Sequence, residues 1–276
     1  MNRIPVPEVS IVIPVYNEER LLATSVRGLV QDLGEHDLAF EIIIAENGSD
    51  DQTCTIAGDL AQQDPRIHTF SYPRPNYGGA LREGIYRARG RFVLCEEIDL
   101  CDQDFLFRAL SILRSGNADM VIGSKAMPGS RDRRPLLRRA ATRVYNRMLR
   151  ATLGFSGTDT HGLKAFRRET VVPVVAQCIV EHDVFASELV VRCERRGLCL
   201  VEIPVEIEER RAPSIDLLHR LPRVGRNLGR LLISIHLGSP REPHRSDTHS
   251  EPGPPNEPRS APPPSDDPSD DEDSRR

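Results

Sequence analysis

No apolar run in this 276-residue chain approaches the ~20 residues of a membrane-spanning helix. Met1–Glu8 lacks the apolar core that a signal peptide requires, so the expectation is a cytoplasmic protein that is not secreted. Consistent with that, the sequon Asn47-Gly48-Ser49 is expected to stay idle. The six cysteines (Cys54, Cys95, Cys101, Cys178, Cys193, Cys199) have neither metal-site nor redox spacing, and read as reduced thiols, mostly core filler. There is no internal repeat. Neither GxGxxG nor a Walker pattern is present, so Gly78-Gly79 reads as a turn that admits a ligand, not as a phosphate cradle. His161 and His182-Asp183 have no partner histidine at ligand spacing, which favours structural or surface roles.

The last stretch, residues 239–276, lacks any aromatic and any aliphatic side chain larger than alanine. It holds ten of the 22 prolines and ten acids against five arginines. Such a segment cannot offset the entropy of ordering and is expected to be a disordered tail, either solubilising or recruiting a protein partner. Residues 1–238 keep 32 basic and 31 acidic residues, enough apolar content for one large domain, and no basic excess that would suit nucleic acid.

What is present is organised around Arg91–Asp104. The apolar run Phe92–Cys95 is long enough for a buried strand and ends in Glu96, Glu97 and Asp99. Glu97 and Asp99 lie two apart, so in an extended segment both carboxylates point to one side and can hold a hard divalent ion. Upstream, Val9–Val15 and Phe40–Ala45 read as buried strands, with Pro14 near the end of the first. Leu21, Leu22, Ser25, Val26, Leu29, Val30 and Leu33 mark a helix face between them. Ser49 or Asp50 is placed to cap a helix over 52–63, and Asp102 or Asp104 one over 105–114. With strands at 66–72 and 119–123 and a helix at 80–88, residues 9–124 alternate strand and helix. That alternation predicts an α/β, doubly wound, mostly parallel sheet whose strand C-termini gather Tyr16–Glu18, Glu46–Ser49 and Glu97–Asp99 on one rim.

In order along the chain stand Val12–Glu19 (VIPVYNEE), Glu41–Thr53 (EIIIAENGSDDQT), Asn76–Gly90, Glu97–Leu100, Val121–Lys125, Asn146 within Arg138–Leu149, Asp159–Arg167, Glu188-Leu189 and Glu202–Val205 with Arg210. Together these resemble the family 2 glycosyltransferases of GT-A fold, and within them the dolichyl-phosphate mannosyltransferase and polyprenyl-phosphate glycosyltransferase branch. The resemblance covers roughly residues 9–215. It implies an inverting transfer of mannose or another hexose from a nucleotide-diphosphate sugar to a polyprenyl phosphate. Pro14, Tyr16, Glu18, Ala45, Glu46, Asn47, Asn76 and Gly79 would then surround the donor, with Ile98, Lys125 and Arg210. Glu97 and Asp99 would hold Mg²⁺ or Mn²⁺ on the diphosphate, while Lys125, Arg138 and Arg139 would meet the acceptor phosphate. Asp159 is the acidic candidate on the acceptor side, with capping or pairing beside Lys164 as its other reading. The chain also departs from the family: Glu46-Asn47 stands where Asp-Asp is usual, and Glu97-Ile98-Asp99 where Asp-x-Asp is usual. A hydroxyl acceptor, or a non-catalytic module of the same fold, are the alternatives these departures leave open.

Two stretches are basic and amphipathic. Arg131–Arg150 holds eight arginines against Asp132, and reads either as a solvated helix face or as a surface drawn to anionic lipid or phosphate. Residues 214–237 interleave leucines with Arg220, Arg223, Arg226 and Arg230, as a packed C-terminal helix or one lying in a membrane interface at the cytosolic face would.

Overall fold

The computed structural model describes residues 6–133, 135–207, 225–226 and 229–235, the side chains of Arg138, Asp183 and Ile207 excepted. The expectations for Arg210, for most of 214–237 and for the tail at 239–276 fall outside the described residues.

The alternation read from the sequence is present: β1 (Val9–Val15), α1 (Leu22–Gly34), β2 (Phe40–Glu46), α2 (Thr53–Gln63), β3 (Ile67–Ser71), α3 (Tyr77–Arg87), β4 (Phe92–Cys95), α4 (Gln103–Arg114) and β5 (Met120–Ser124). Then follow β6 (Arg131–Asp132), α5 (Leu136–Leu153), β7 (Leu163–Arg167), α6 (Arg168–Val175), α7 (Phe185–Arg195), β8 (Leu200–Pro204) and β9 (Glu206–Ile207). The main sheet runs β3-β2-β1-β4-β7-β5-β8, and β6 pairs with β9 apart from it. All its pairings are parallel except those of β7, which lies antiparallel between β4 and β5. Sequence alternation places β5 after β4 in the chain but does not reveal that a later strand separates them in space.

Strand periodicity divides the core in two. Val9, Ile11, Ile13 and Val15 of β1 pack with Leu22, Val26, Leu29 and Leu33 of α1 and with the apolar face of α4. Val12 points the other way, among Ala80, Leu81 and Ile85 of α3 and Val190 and Val191 of α7. A sheet apolar on both faces is what nearly continuous apolar strands require. Pro14 costs the ladder nothing: Val12 accepts from the Glu96 N–H, so even-numbered β1 residues face β4, and β4 has ended at Cys95 before it reaches Pro14.

Local signals explain some helix ends. Asp102 accepts the Phe105 N–H and caps α4, as its spacing indicates. Gly154, at φ +70°, closes α5 in the left-handed conformation. The start of α2 differs from expectation: neither Ser49 nor Asp50 caps it, and Asp51 instead accepts the Thr53 N–H at 2.9 Å. Ser49 is engaged elsewhere, accepting the Asn17 N–H across the rim at 3.0 Å.

Candidate active site

The site forms where β2, β1 and β4 end side by side, with Val15 opposite Glu46 and Val12 opposite Cys95. The loops leaving β1 and β2 are stitched together. Asp50 N–H donates to the Asn17 side chain at 3.1 Å, Glu18 N–H to Thr53 at 2.7 Å, and Glu19 N–H to Asp51 at 3.3 Å. Asn17 adopts φ +55°, a left-handed conformation that asparagine tolerates better than most residues. Tyr16 is 45% exposed, while Pro14, Glu18 and Ala45 are buried.

Two of the expected donor residues spend their side chains on the frame. Glu46 is buried and accepts the Ser49 N–H at 2.6 Å, closing the turn. Asn47, also buried, accepts the Asn76 N–H at 2.6 Å through its side-chain oxygen. Asn76 in turn caps α3, its side-chain oxygen accepting from Gly79 and from His182, both at 3.0 Å, and its amide donating to Glu181. Gly78 and Gly79 are therefore not an open turn but the buried first turn of α3. A Cβ on Gly79 would come within 2.8 Å of Tyr72 and Asn76, and one on Gly78 would meet the His182 main chain.

The acids after β4 are not extended. Leu100 and Cys101 N–H groups donate to the Glu97 carbonyl at 2.9 and 3.2 Å, making a turn that ends with Cys101 at φ +41°. Within it Ile98 is buried in the core and offers a ligand its main chain only, whereas Glu97 and Asp99 stay half-buried on the rim. Glu96 is sealed, accepts the Asp102 N–H at 3.1 Å, and is pushed well above the usual carboxylate range by burial and by the neighbouring Asp102 and Glu97 charges. It thus serves the α4 start, not ligand binding. Glu97 and Asp99 supply two oxygen donors suited to a hard divalent cation. Among the described residues no three His, Cys, Asp or Glu side chains form a metal cluster. The remaining ligands would therefore come from a diphosphate and water, which fits Mg²⁺ or Mn²⁺ at that turn.

Because β7 runs antiparallel, the loop that precedes it reaches the same rim. Asp159, fully buried, accepts the Lys125 N–H at 3.2 Å and the His161 N–H at 2.8 Å. Glu202 holds this loop from β8 through the Thr158 and Asp159 N–H groups at 2.7 and 3.1 Å. Lys164 lies opposite Cys95 on one side and Ile122 on the other, its ammonium donating to the Gly162 carbonyl at 2.7 Å. Burial pulls its pKa down against the pull of Cys95, Asp159 and Glu97, with Lys125 adding to the fall. The acid turn and the Lys125 loop therefore share one electrostatic neighbourhood. Beyond Lys125 opens a cavity of about 120 Å³ lined by Lys125, Met127, Ser130, Asp132, Arg139, Thr142 and Arg143.

Lys125 and Arg139 are the expected acceptor-side cations here, and Arg143, one turn from Arg139 in the basic run drawn to lipid or phosphate, joins them. Sequence reasoning passed over Lys164 as a charge of the site, visible only once β7 is inserted beside β4. His161 is not a metal ligand candidate among the described residues: its ring stands edge-on to Tyr145 at 5.0 Å, with Nδ1 near Thr160 and Ser187. Three of the six cysteines (Cys95, Cys178, Cys193) are buried and all six are free.

A mostly parallel sheet with one reversed strand beside an acidic turn at the C-terminal rim is the GT-A architecture. Solved structures share it: glucosyl-3-phosphoglycerate synthase from Mycobacterium tuberculosis, in complex with Mn²⁺, UDP and glucosyl-3-phosphoglycerate, superposes with a TM-score of 0.61 over 83% of this chain and 80% of that one, at 20% identity. Residues 10–173 match the model of glycosyl transferase family 2, and the chain belongs to that family. It is 37% identical over 224 residues to glycosyltransferase AglD of Haloferax volcanii, covering 79% of this chain and 36% of AglD. To dolichyl-phosphate beta-glucosyltransferase ALG5A of Trichomonas vaginalis it is 29% identical over 212 residues, covering 72% of this chain and 65% of that protein. The chain thus spans about a third of the first relative and just under two thirds of the second. Among the described residues no helix is long and apolar enough to cross a membrane.

Proposed function

We propose that this chain transfers a hexose, with inversion, from a nucleoside-diphosphate sugar to a polyprenyl phosphate at the cytosolic face of a membrane. The observation that carries the acceptor is the small cavity walled by Lys125, Arg139 and Arg143, across β7 from Glu97 and Asp99. Three cations against one acid, Asp132, around a space of about 120 Å³ suit a phosphate better than a sugar hydroxyl. A phosphate oxygen is already anionic near neutral pH, so the acceptor needs no strong general base. Asp159 accordingly acts as a positioning residue: both its oxygens are taken by main-chain N–H groups, which fixes the Lys125 loop. Lys164 adds positive charge behind the acid turn.

Glu97 and Asp99 would hold the Mg²⁺ or Mn²⁺ ion. When bound, such an ion offsets the charge that grows on the departing diphosphate. The name of the Trichomonas relative supports a glucosyl group as the first choice for transfer, and the UDP and Mn²⁺ of the mycobacterial complex support UDP and Mn²⁺. The test is transfer by the full chain from a panel of UDP- and GDP-sugars to a short-chain polyprenyl phosphate in detergent with Mn²⁺. The expected result is transfer that falls roughly 10²–10³-fold in Asp99→Ala, the scale on which single electrostatic groups act. Transfer to hydroxyl acceptors alone would select the other branch of the family.

A second reading is favoured by one observation. One side-chain oxygen each of Glu46 and Asn47, where the family usually has Asp-Asp, is taken by the Ser49 and Asn76 main chain. A non-catalytic module would follow if calorimetry detects no nucleotide-sugar binding by the folded chain.

A further inference from the structure

Helix α5 carries five arginines and no acidic residue. Asn146, Leu149 and Leu153, at 1%, 0% and 4% exposure, turn one side of it into the protein. The opposite side is not polar. Leu136, Leu137, Val144 and Met148 are 77%, 67%, 60% and 43% exposed, and they make up four of the eight large exposed hydrophobics among the described residues. At ~100° per residue these four fall within one sector of about 120°, and Ala140, Ala141 and Ala151, also exposed, lie in or beside it. Arg143, Arg147 and Arg150 are exposed along one border of that sector.

Such a face requires a partner, and the charge decides which. A second copy would bring the same arginine row against itself, because a two-fold interface joins identical patches. An anionic headgroup layer neutralises the row while the acyl boundary takes the leucine, valine and methionine side chains. The face is also continuous with the cationic cavity, since Arg139 and Arg143 of the same helix line it. We infer that α5 lies in the surface of an anionic bilayer, its Leu136–Leu137–Val144–Met148 face inserted at headgroup depth. The cavity beside it is then presented to phosphates held at that depth. This deepens the lipid-phosphate reading and rests on it for its purpose.

The experiment floats the full chain with phosphatidylcholine vesicles, with and without phosphatidylglycerol, and compares Val144→Asp/Met148→Asp and Arg147→Ala. Binding is expected only with the anionic lipid. It should fall at least roughly tenfold in the double variant, a change of about 1.4 kcal/mol. It should also weaken as salt rises from ~0.1 to ~1 M and the screening length drops from ~10 to ~3 Å, with Arg147→Ala reducing that salt dependence. Circular dichroism and melting of both variants should match the parent, because the residues replaced are exposed. Equal binding by the double variant, or no binding to either vesicle, overturns the inference. So does sedimentation showing a dimer that the double variant abolishes. Transfer to detergent-dispersed polyprenyl phosphate is measured in parallel. Retained transfer with lost flotation marks the surface, whereas flotation without transfer counts against the acceptor reading alone.

Discussion

Glu41 sits at the start of β2, at the end of the sheet away from the site, and is 2% exposed. Burial alone would raise its pKa, but the Ser10 hydroxyl at 2.6 Å and the Arg89 main chain and guanidinium at 2.6–2.8 Å outweigh that and hold it below the usual range. A carboxylate depressed in the folded state contributes stability that is present above its unfolded pKa of about 4.3 and is lost as pH falls through the folded value. Glu41→Gln should therefore cost about 1–2 kcal/mol in urea melts at neutral pH, since it weakens the charge-assisted bonds to Ser10 and Arg89 while Arg89, 53% exposed, stays hydrated. The deficit should shrink as pH drops below about 4, where the parent loses the same charge; a constant deficit would mean packing alone is at stake. Gly162 is a different kind of constraint: a Cβ there would run into the Gly123 carbonyl, directly behind Asp159. Gly162→Ala is expected to destabilise by about 1–3 kcal/mol through overpacking, and to depress transfer more than donor binding by displacing the Lys125 loop. Gly28→Ala in α1, where a Cβ meets nothing within 4 Å, is the control and should be neutral or stabilising by up to ~1 kcal/mol.

The N-terminus of α3 ties the loop after β2 to the segment before α7 through Asn76. Asn76→Ala removes the acceptor for Gly79 and His182 and the donor to Glu181, while its main-chain bond to Asn47 stays. Loss of a buried cap with two further bonds should cost about 2–3 kcal/mol. It should also weaken nucleotide-sugar binding in calorimetry more than Asp102→Ala does, which uncaps α4 alone. The nine elements from β1 to β5 were legible because period-2 strands and 3.6-period helices are properties of adjacent residues. Asp102 as a cap was legible for the same reason. The position of β7, the turn that rotates Glu97 and Asp99 out of an extended path, and the diversion of Ser49 to Asn17 were not. Each depends on a partner more than 30 residues away or on a main-chain hydrogen bond that no side-chain pattern announces. The ends of β1, β2 and β4 lie side by side, yet Glu46 and Glu96 point inward, because burial of a particular carboxylate depends on which N–H group lies behind it.

At the scale of the whole molecule the site is a seam between two halves of the sheet. The parallel strands β3-β2-β1-β4 bring the β1–β2 loop frame and the acid turn, and β7-β5-β8 bring Asp159, Lys125 and the cationic cavity. The two halves meet at the β4–β7 pairing, where Lys164 faces Cys95, and a ligand that binds across that seam engages both. A donor that needs the ion for its diphosphate should then stabilise the fold by linkage only when the ion is present. At a free donor concentration of ~100 Kd the gain is about 2.7 kcal/mol, enough to raise the melting temperature by several degrees. UDP-glucose alone and Mn²⁺ alone should each give a small shift and the pair a large one, and chelation should erase the difference. Glu97→Ala and Asp99→Ala remove half-buried rim carboxylates, so both variants should melt near the parent temperature without ligand yet lose the shift with donor and ion. Lys125→Ala should keep most of that shift and lose transfer, because Lys125 lines the cavity proposed for the acceptor phosphate. A full donor-plus-ion shift in Glu97→Ala/Asp99→Ala would remove the acid turn from the donor site and leave the two halves of the sheet without the bridge proposed between them.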